Sequence, residues 1–204
     1  KKMVDFFVQG GGFMWPILIA LLFGLAIIGE RAYSLINSSS DTDQFFEDVK
    51  KIYNDSGKEQ AIEFCENSPG PVASIFYAGL SKMQKSKEEI EKAVQNAGGL
   101  EMAFLEKNMI WINSVITIAP MLGFTGTVVG MIKAFEDIKM ANDISPAVVA
   151  GGISQALLTT AFGLIVAMIM QVAQNFFVSM IDKLILDMEE QSIKSVEYLH
   201  SSKK

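Results

Sequence analysis

Three stretches of this chain carry no Asp, Glu, Lys, Arg or His: residues 6–29, 108–132 and 144–181, which are 24, 25 and 38 residues long. A helix crosses the hydrocarbon core of a bilayer with roughly 20 residues. Each run is therefore long enough to span a membrane, and a water-soluble core has no use for uncharged runs of that length. Half of all residues are hydrophobic, and most of the 20% that are charged are crowded into residues 31–107 and the tail. The pattern predicts an all-α membrane protein with three transmembrane helices.

The first run has its apolar centre at 14–28 and ends at Glu30 and Arg31. No small-x-small cleavage site follows the apolar stretch, so it reads as a membrane helix rather than a cleaved leader. Of 17 Lys and Arg, 9 lie in 31–107 and 4 after the third run, against 2 before the first run and 2 in 133–143. Positive charge collects on the cytoplasmic side. That predicts a periplasmic amino end with the first transmembrane helix in 1–31, a cytoplasmic segment in 32–107 and a second helix in 108–135. A periplasmic loop follows in 136–145, then a third helix in 146–181 and a cytoplasmic tail in 182–204.

The segment between the first two runs reads as short helices. Asp41 or Thr42 can cap a helix that places Phe45, Phe46, Val49, Ile52 and Tyr53 on one face. Ala61, Ile62 and Cys65 mark a second, stopped at 67–71 by two prolines and a glycine. A third runs through Val72, Ile75, Phe76, Gly79, Leu80 and Met83. Ser86 and Glu89 have the spacing of a capping box. From there Ile90, Val94, Ala97, Leu100 and Phe104 lead into the second uncharged run as one long helix, with Gly98-Gly99 as its weak point. The third run keeps helical spacing beyond its uncharged part through Leu184, Ile185 and Met188, so two of the membrane helices are expected to extend into the cytoplasm.

Small and hydroxyl residues gather inside the second and third runs. At about 100° per residue, Gly152, Gln155, Ala156, Thr159, Thr160, Gly163 and Ala167 fall within an arc of about 140°, and leucines, isoleucines and methionines occupy the other side. In the second run Asn113, Thr117, Pro120 and Thr127 lie near one line, with Gly123, Gly126 and Gly130 beside it. Glycines at that spacing allow backbones to approach closely. Polar residues aligned at bilayer depth also suit a partner helix or a water-filled path.

PMLGFTGTVVGMIKAF and ISPAVVAGGISQALLTTAFGLIVAMIMQVAQN resemble the MotA/TolQ/ExbB proton-channel family, in its three-helix ExbB/TolQ branch, closely over 119–175, moderately at Glu30 and Arg31, and in layout over the cytoplasmic segment. The four-helix flagellar stators are a poorer match. The resemblance implies a homopentamer in a bacterial inner membrane whose pore holds two ExbD/TolR-like single-span subunits, with a TonB-like or other envelope protein as a further partner. It implies no cofactor, with H⁺ as the coupling ion. Thr127 and Thr160 then correspond to pore threonines that face an aspartate of the partner, and Gln155 and Thr159 join them along the pathway. Pro120, Gly123, Gly126, Gly130, Gly152 and Gly163 pack the pore helices.

One position departs from the pattern. Many ExbB and TolQ sequences carry a glutamate where this chain has Gln155, and no carboxylate remains in 144–181. An amide does not titrate, so any obligatory ionisable carrier comes from a partner, or the ring is a passive scaffold for a partner helix. Glu30 and Arg31 read as a mutual pair, or Arg31 as snorkelling to headgroups. Cys65 is single and His200 lies in a polar tail with no second ligand nearby, so no metal site is expected. No nucleotide loop, nucleophile motif or basic stripe for nucleic acid occurs, and the chain reads as a non-enzyme.

Overall fold

A computed structural model of the chain describes residues 2–38, 42–141 and 146–201. These form α1 (Lys2–Gln9), α2 (Met14–Ser38), α3 (Thr42–Ser56), α4 (Lys58–Asn67), α5 (Pro71–Ser81), α6 (Lys87–Leu105), α7 (Met109–Ala141) and α8 (Pro146–Ser201). No strand occurs among the described residues. Asp41, a predicted cap, lies outside them. Three helical stretches are long and apolar enough to cross a membrane: Met14–Ser38, Lys87–Met140 and Val149–Ser201. Helix α8 has 56 residues, more than the roughly 20 that cross a hydrocarbon core.

The chain divides into two compact units, one of Lys1–Glu30 with Asn108–Phe176 and one of Arg31–Lys107 with Phe177–Lys204. In the first unit α7 and α8 meet along their small residues. An ideal Cβ on Gly163 would lie 2.5 Å from the Ala119 carbonyl oxygen, and one on Gly123 would lie 2.8 Å from that of Thr159. Further along, Gly130 meets Ala156 and Gly152 meets Ala134. As numbers rise on α7 they fall on α8, so the two helices form an antiparallel zipper of small residues at steps of three and four. The predicted glycine faces are thus used within one chain. Bulky residues point the other way: Phe124 is 67% exposed, Leu157 60% and Val172 72%. So much apolar surface suits lipid rather than water.

The second unit is built around α5, whose Val72, Ala73, Ile75, Phe76 and Leu80 are all buried. Phe76 packs against the rings of Phe45 and Phe46 at 5.9 and 5.4 Å. Gly57 and Gly70 precede α4 and α5 with φ of 93° and 105°, a conformation that glycine alone adopts without strain, and Pro71 opens α5 where its missing N–H is harmless. The capping box is formed: Ser86 Oγ accepts from the Glu89 N–H at 3.3 Å and Glu89 Oε2 from the Ser86 N–H at 3.2 Å. Asp43 receives Lys194 Nζ and Gln191 Nε2, each at 2.8 Å, and Lys194 first, then Gln191, holds its carboxyl below the usual range.

Cys65 is 2% exposed, and burial pushes its thiol up to about 12. The thiolate is the reactive form, so Cys65 should resist alkylation at neutral pH in the folded chain and label within minutes in denaturant, read by intact-mass spectrometry.

The expected single helix from residue 87 through the second run is corrected. Helix α6 passes through Gly98-Gly99 intact and ends at Leu105, and α7 begins at Met109 after Asn108 takes φ 65°. Glycine in a helix costs roughly 1 kcal/mol without breaking it, whereas Asn is among the residues most tolerant of left-handed backbone.

Candidate functional site

Three hydroxyls converge where α7 meets α8. Thr127 Oγ1 lies 3.2 Å from the Gly123 and Ala156 carbonyl oxygens, and Thr160 Oγ1 lies 3.1 Å from that of Gly123. Thr127 and Thr160 are also hydrogen-bonded directly to each other. Thr159, 1% exposed, donates to Ala156 O at 2.7 Å and lies 3.3 Å from Gly123 O. The zipper makes this possible, because Gly126 leaves room for Thr159, whose Oγ1 and Cβ would lie 2.7 and 2.9 Å from an ideal Cβ there.

Each hydroxyl has one proton and two lone pairs. One of the Thr127–Thr160 pair donates to the other, the acceptor donates to a carbonyl, and Thr159 donates to Ala156 O. All three protons are therefore committed inside the cluster, whichever direction the pair takes. What the half-buried Thr127 and Thr160 offer outward is lone pairs. Those lone pairs can accept a hydrogen bond from a donor that reaches them, while the three protons are used inside the cluster. Reversing the Thr127–Thr160 bond costs only hydroxyl rotations.

Gln155 is on the same face of α8 but its amide is not in the cluster. It reaches the turn between α1 and α2, where an ideal Cβ on Gly11 would lie 2.0 Å from Nε2. Pro120 is half-buried inside α7, next to Ala119, whose carbonyl faces Gly163.

The snorkelling expectation for Arg31 is corrected. Arg31 is 1% exposed and its guanidinium donates to the carbonyls of Phe104 and Leu105 at 3.4 Å. These are the last two carbonyls of α6; that of Phe104 also accepts from the Lys107 N–H at 3.2 Å, and a cation there complements the helix dipole. Glu30 Oε2 accepts from Asn108 Nδ2 at 3.3 Å. Arg31→Met should therefore deprive the Leu105 carbonyl of its guanidinium donor at roughly 1–3 kcal/mol, lowering the thermal midpoint in detergent by several degrees, while Arg31→Lys should retain part of the stability.

Sequence reasoning missed two features. The first is Gln155 resting on Gly11, to which only the Gly10-Gly11-Gly12 run points. The second is Gln174, whose Oε1 is enclosed without a donor among the described residues.

Residues 67–190 match the MotA/TolQ/ExbB proton channel family. The chain is similar to an ExbB-like 3 biopolymer transport protein of Synechocystis sp., at 29% identity over 85% of this chain and 83% of that one. It is also similar to an ExbB homolog of Methanothermobacter thermautotrophicus, at 28% identity over 88% of this chain, although it spans only 64% of that protein's length. The Tol-Pal system protein TolQ of Haemophilus influenzae is 29% identical over 85% of this chain and 83% of its own. The hydroxyl cluster and Gln155 lie inside the matched region, whereas Glu30, Arg31 and Gly11 lie before it.

Proposed function

The chain belongs to the MotA/TolQ/ExbB proton channel family, and from that premise we propose that it is the ring-forming stator subunit of an ExbB–ExbD or TolQ–TolR-like motor. In this reading five copies surround two ExbD/TolR-like single-span helices in a bacterial inner membrane. The amino end is periplasmic, residues 31–107 and the tail are cytoplasmic, and inward proton flow energises outer-membrane transport or another envelope process, directly or through a TonB-like protein.

The observation that carries the reading is the hydroxyl cluster. With its protons committed inward, it favours the protonated form of a carboxyl on a partner helix, and an acid stabilised in its neutral form can cross a low-dielectric path that its ionised form cannot. Each proton moving down 100 mV releases about 2.3 kcal/mol, so a few protons per step suffice for stepwise work. Nothing on α8 between 146 and 181 titrates, so the carrier is assigned to the partner.

The same absence favours the second reading, a non-conducting pentameric scaffold that only organises a partner helix. Proton flux into liposomes holding the chain with and without an ExbD-like partner separates the two. Flux that needs the partner's aspartate supports the motor, and a potential-driven flux of zero with the assembled complex leaves the scaffold. Native mass spectrometry of the purified chain should show a ring of five, and a stable monomer would remove both readings.

A further inference from the structure

The turn between α1 and α2 rests on the α7–α8 face at two points. Gly11 lies against the end of the Gln155 side chain, and Phe13 lies against Gly126, where an ideal Cβ would be 3.1 Å from Phe13 Cβ and 2.7 Å from Thr159 Oγ1. Gln155 precedes Ala156 on α8 and Gly126 precedes Thr127 on α7, so both points adjoin the hydroxyl cluster. The turn is itself well made. The Gly10 N–H donates to Phe6 O at 3.0 Å, that of Gly11 to Val8 O at 3.3 Å, and that of Met14 to Gly11 O at 3.2 Å. Gly11 has φ 74°, so an L side chain there is strained, and the Cβ it lacks would fall where the amide sits.

We propose that Gly11 is a positioning residue for Gln155, and that the turn 10–13, seated on that amide and on Gly126, is a cover that closes one side of the hydroxyl cluster to water. The inference rests on the reading of the cluster as part of a proton path. A neutral amide suits the seat, because it offers a backbone turn both donors and an acceptor, whereas a carboxylate would offer only acceptors. The Gln155 contact is made by the tip of a flexible side chain and the Gly126 contact by Phe13 Cβ, and neither is one of the contacts between α7 and α8 that form the zipper. Trp15 follows the turn and touches Phe7 of α1 edge-on at 5.3 Å, which places a fluorescent reporter beside it.

The test is a double-mutant cycle in the full chain with its partner, in a Trp111→Phe background that leaves Trp15 as the remaining one of two tryptophans. The fluorescence anisotropy of Trp15 and proton flux are read for the parent, Gly11→Ala, Gln155→Ala and the double variant. Gly11→Ala should lower the anisotropy and raise flux at least three-fold where Gln155 is present, and should change both far less where Gln155 is already replaced by alanine. Backbone strain from the methyl group added at position 11 is common to both backgrounds and cancels in the cycle. Phe13→Ala, which introduces no clash, should lower the anisotropy and raise flux on its own. Equal effects of Gly11→Ala in the two backgrounds would overturn the seating, and loosened Trp15 with unchanged flux would overturn the cover. Zero flux in all variants, the parent included, would instead count against the motor, and the seating would still be decided by Trp15.

Discussion

Proton uptake into liposomes at a fixed potential should fall at least ten-fold when Thr127 and Thr160 are both replaced by valine, with the ring and the fold intact. Valine keeps the shape of threonine and removes the hydroxyl. The double change deletes the Thr127–Thr160 bond and leaves Gly123 O with Thr159 as its remaining hydroxyl neighbour in the cluster. Each lost hydrogen bond is worth roughly 0.5–1.5 kcal/mol, and tenfold in rate takes about 1.4 kcal/mol, so two acceptors lost at the carboxyl's site suffice. Single changes should do less, because Thr127 alone can still turn to Ala156 O at 3.2 Å. Thr127→Ser with Thr160→Ser keeps both hydroxyls and should retain most of the uptake. Full uptake in the double valine variant, with assembly verified by native mass spectrometry, would reduce the cluster to helix packing. Removing the partner's aspartate should abolish what uptake is left in that variant, as it does in the parent.

What the sequence disclosed and what it hid divide by distance along the chain. The membrane runs, the capping box at Ser86 and Glu89 and the stop at 67–71 rest on neighbours within a few positions, and all are legible in a single strand of letters. The small faces of α7 and α8 were legible as faces, but whether they meet each other or a second molecule depends on the antiparallel register, which pairs residues such as Ala119 and Gly163. Arg31 illustrates the limit. A lone arginine at the end of an apolar run looks like a headgroup anchor, and its real partners are carbonyls 73 and 74 positions away. Gly98-Gly99 and Asn108 illustrate another, since a sequence reader assigns the break to glycine although the helix tolerates it and turns at asparagine. Gln155 was legible as a departure from a pattern, yet its contact with Gly11, 144 positions earlier, needed the fold.

Gly163→Ala should destabilise the chain by roughly 1–3 kcal/mol, the usual cost of overpacking, and Gly163→Leu should prevent α7 and α8 from pairing at all. A Cβ at 163 would stand 2.5 Å from Ala119 O, 3.2 Å from Gly123 Cα and 3.3 Å from the Ala119 carbonyl carbon. All three are backbone atoms, so no side-chain rotation relieves the contact, and the helices must separate. Separation pulls Thr160 and Thr159 away from Gly123 O, so coupled activity should fall further than stability does. Gly151→Ala is the matched control on the same helix, because a Cβ there has no heavy atom outside its own helix within 4 Å. It should be neutral or stabilising by up to about 1 kcal/mol from helix propensity alone. For a chain of this size each kcal/mol corresponds to about 2–4 °C in Tm, so thermal unfolding in detergent should order the three proteins as Gly151→Ala at or above the parent, with Gly163→Ala clearly below both. A Gly163→Ala protein that melts with the parent would mean that α7 and α8 stand further apart than the zipper requires, and the hydroxyl cluster would lose the close backbone approach on which its geometry depends.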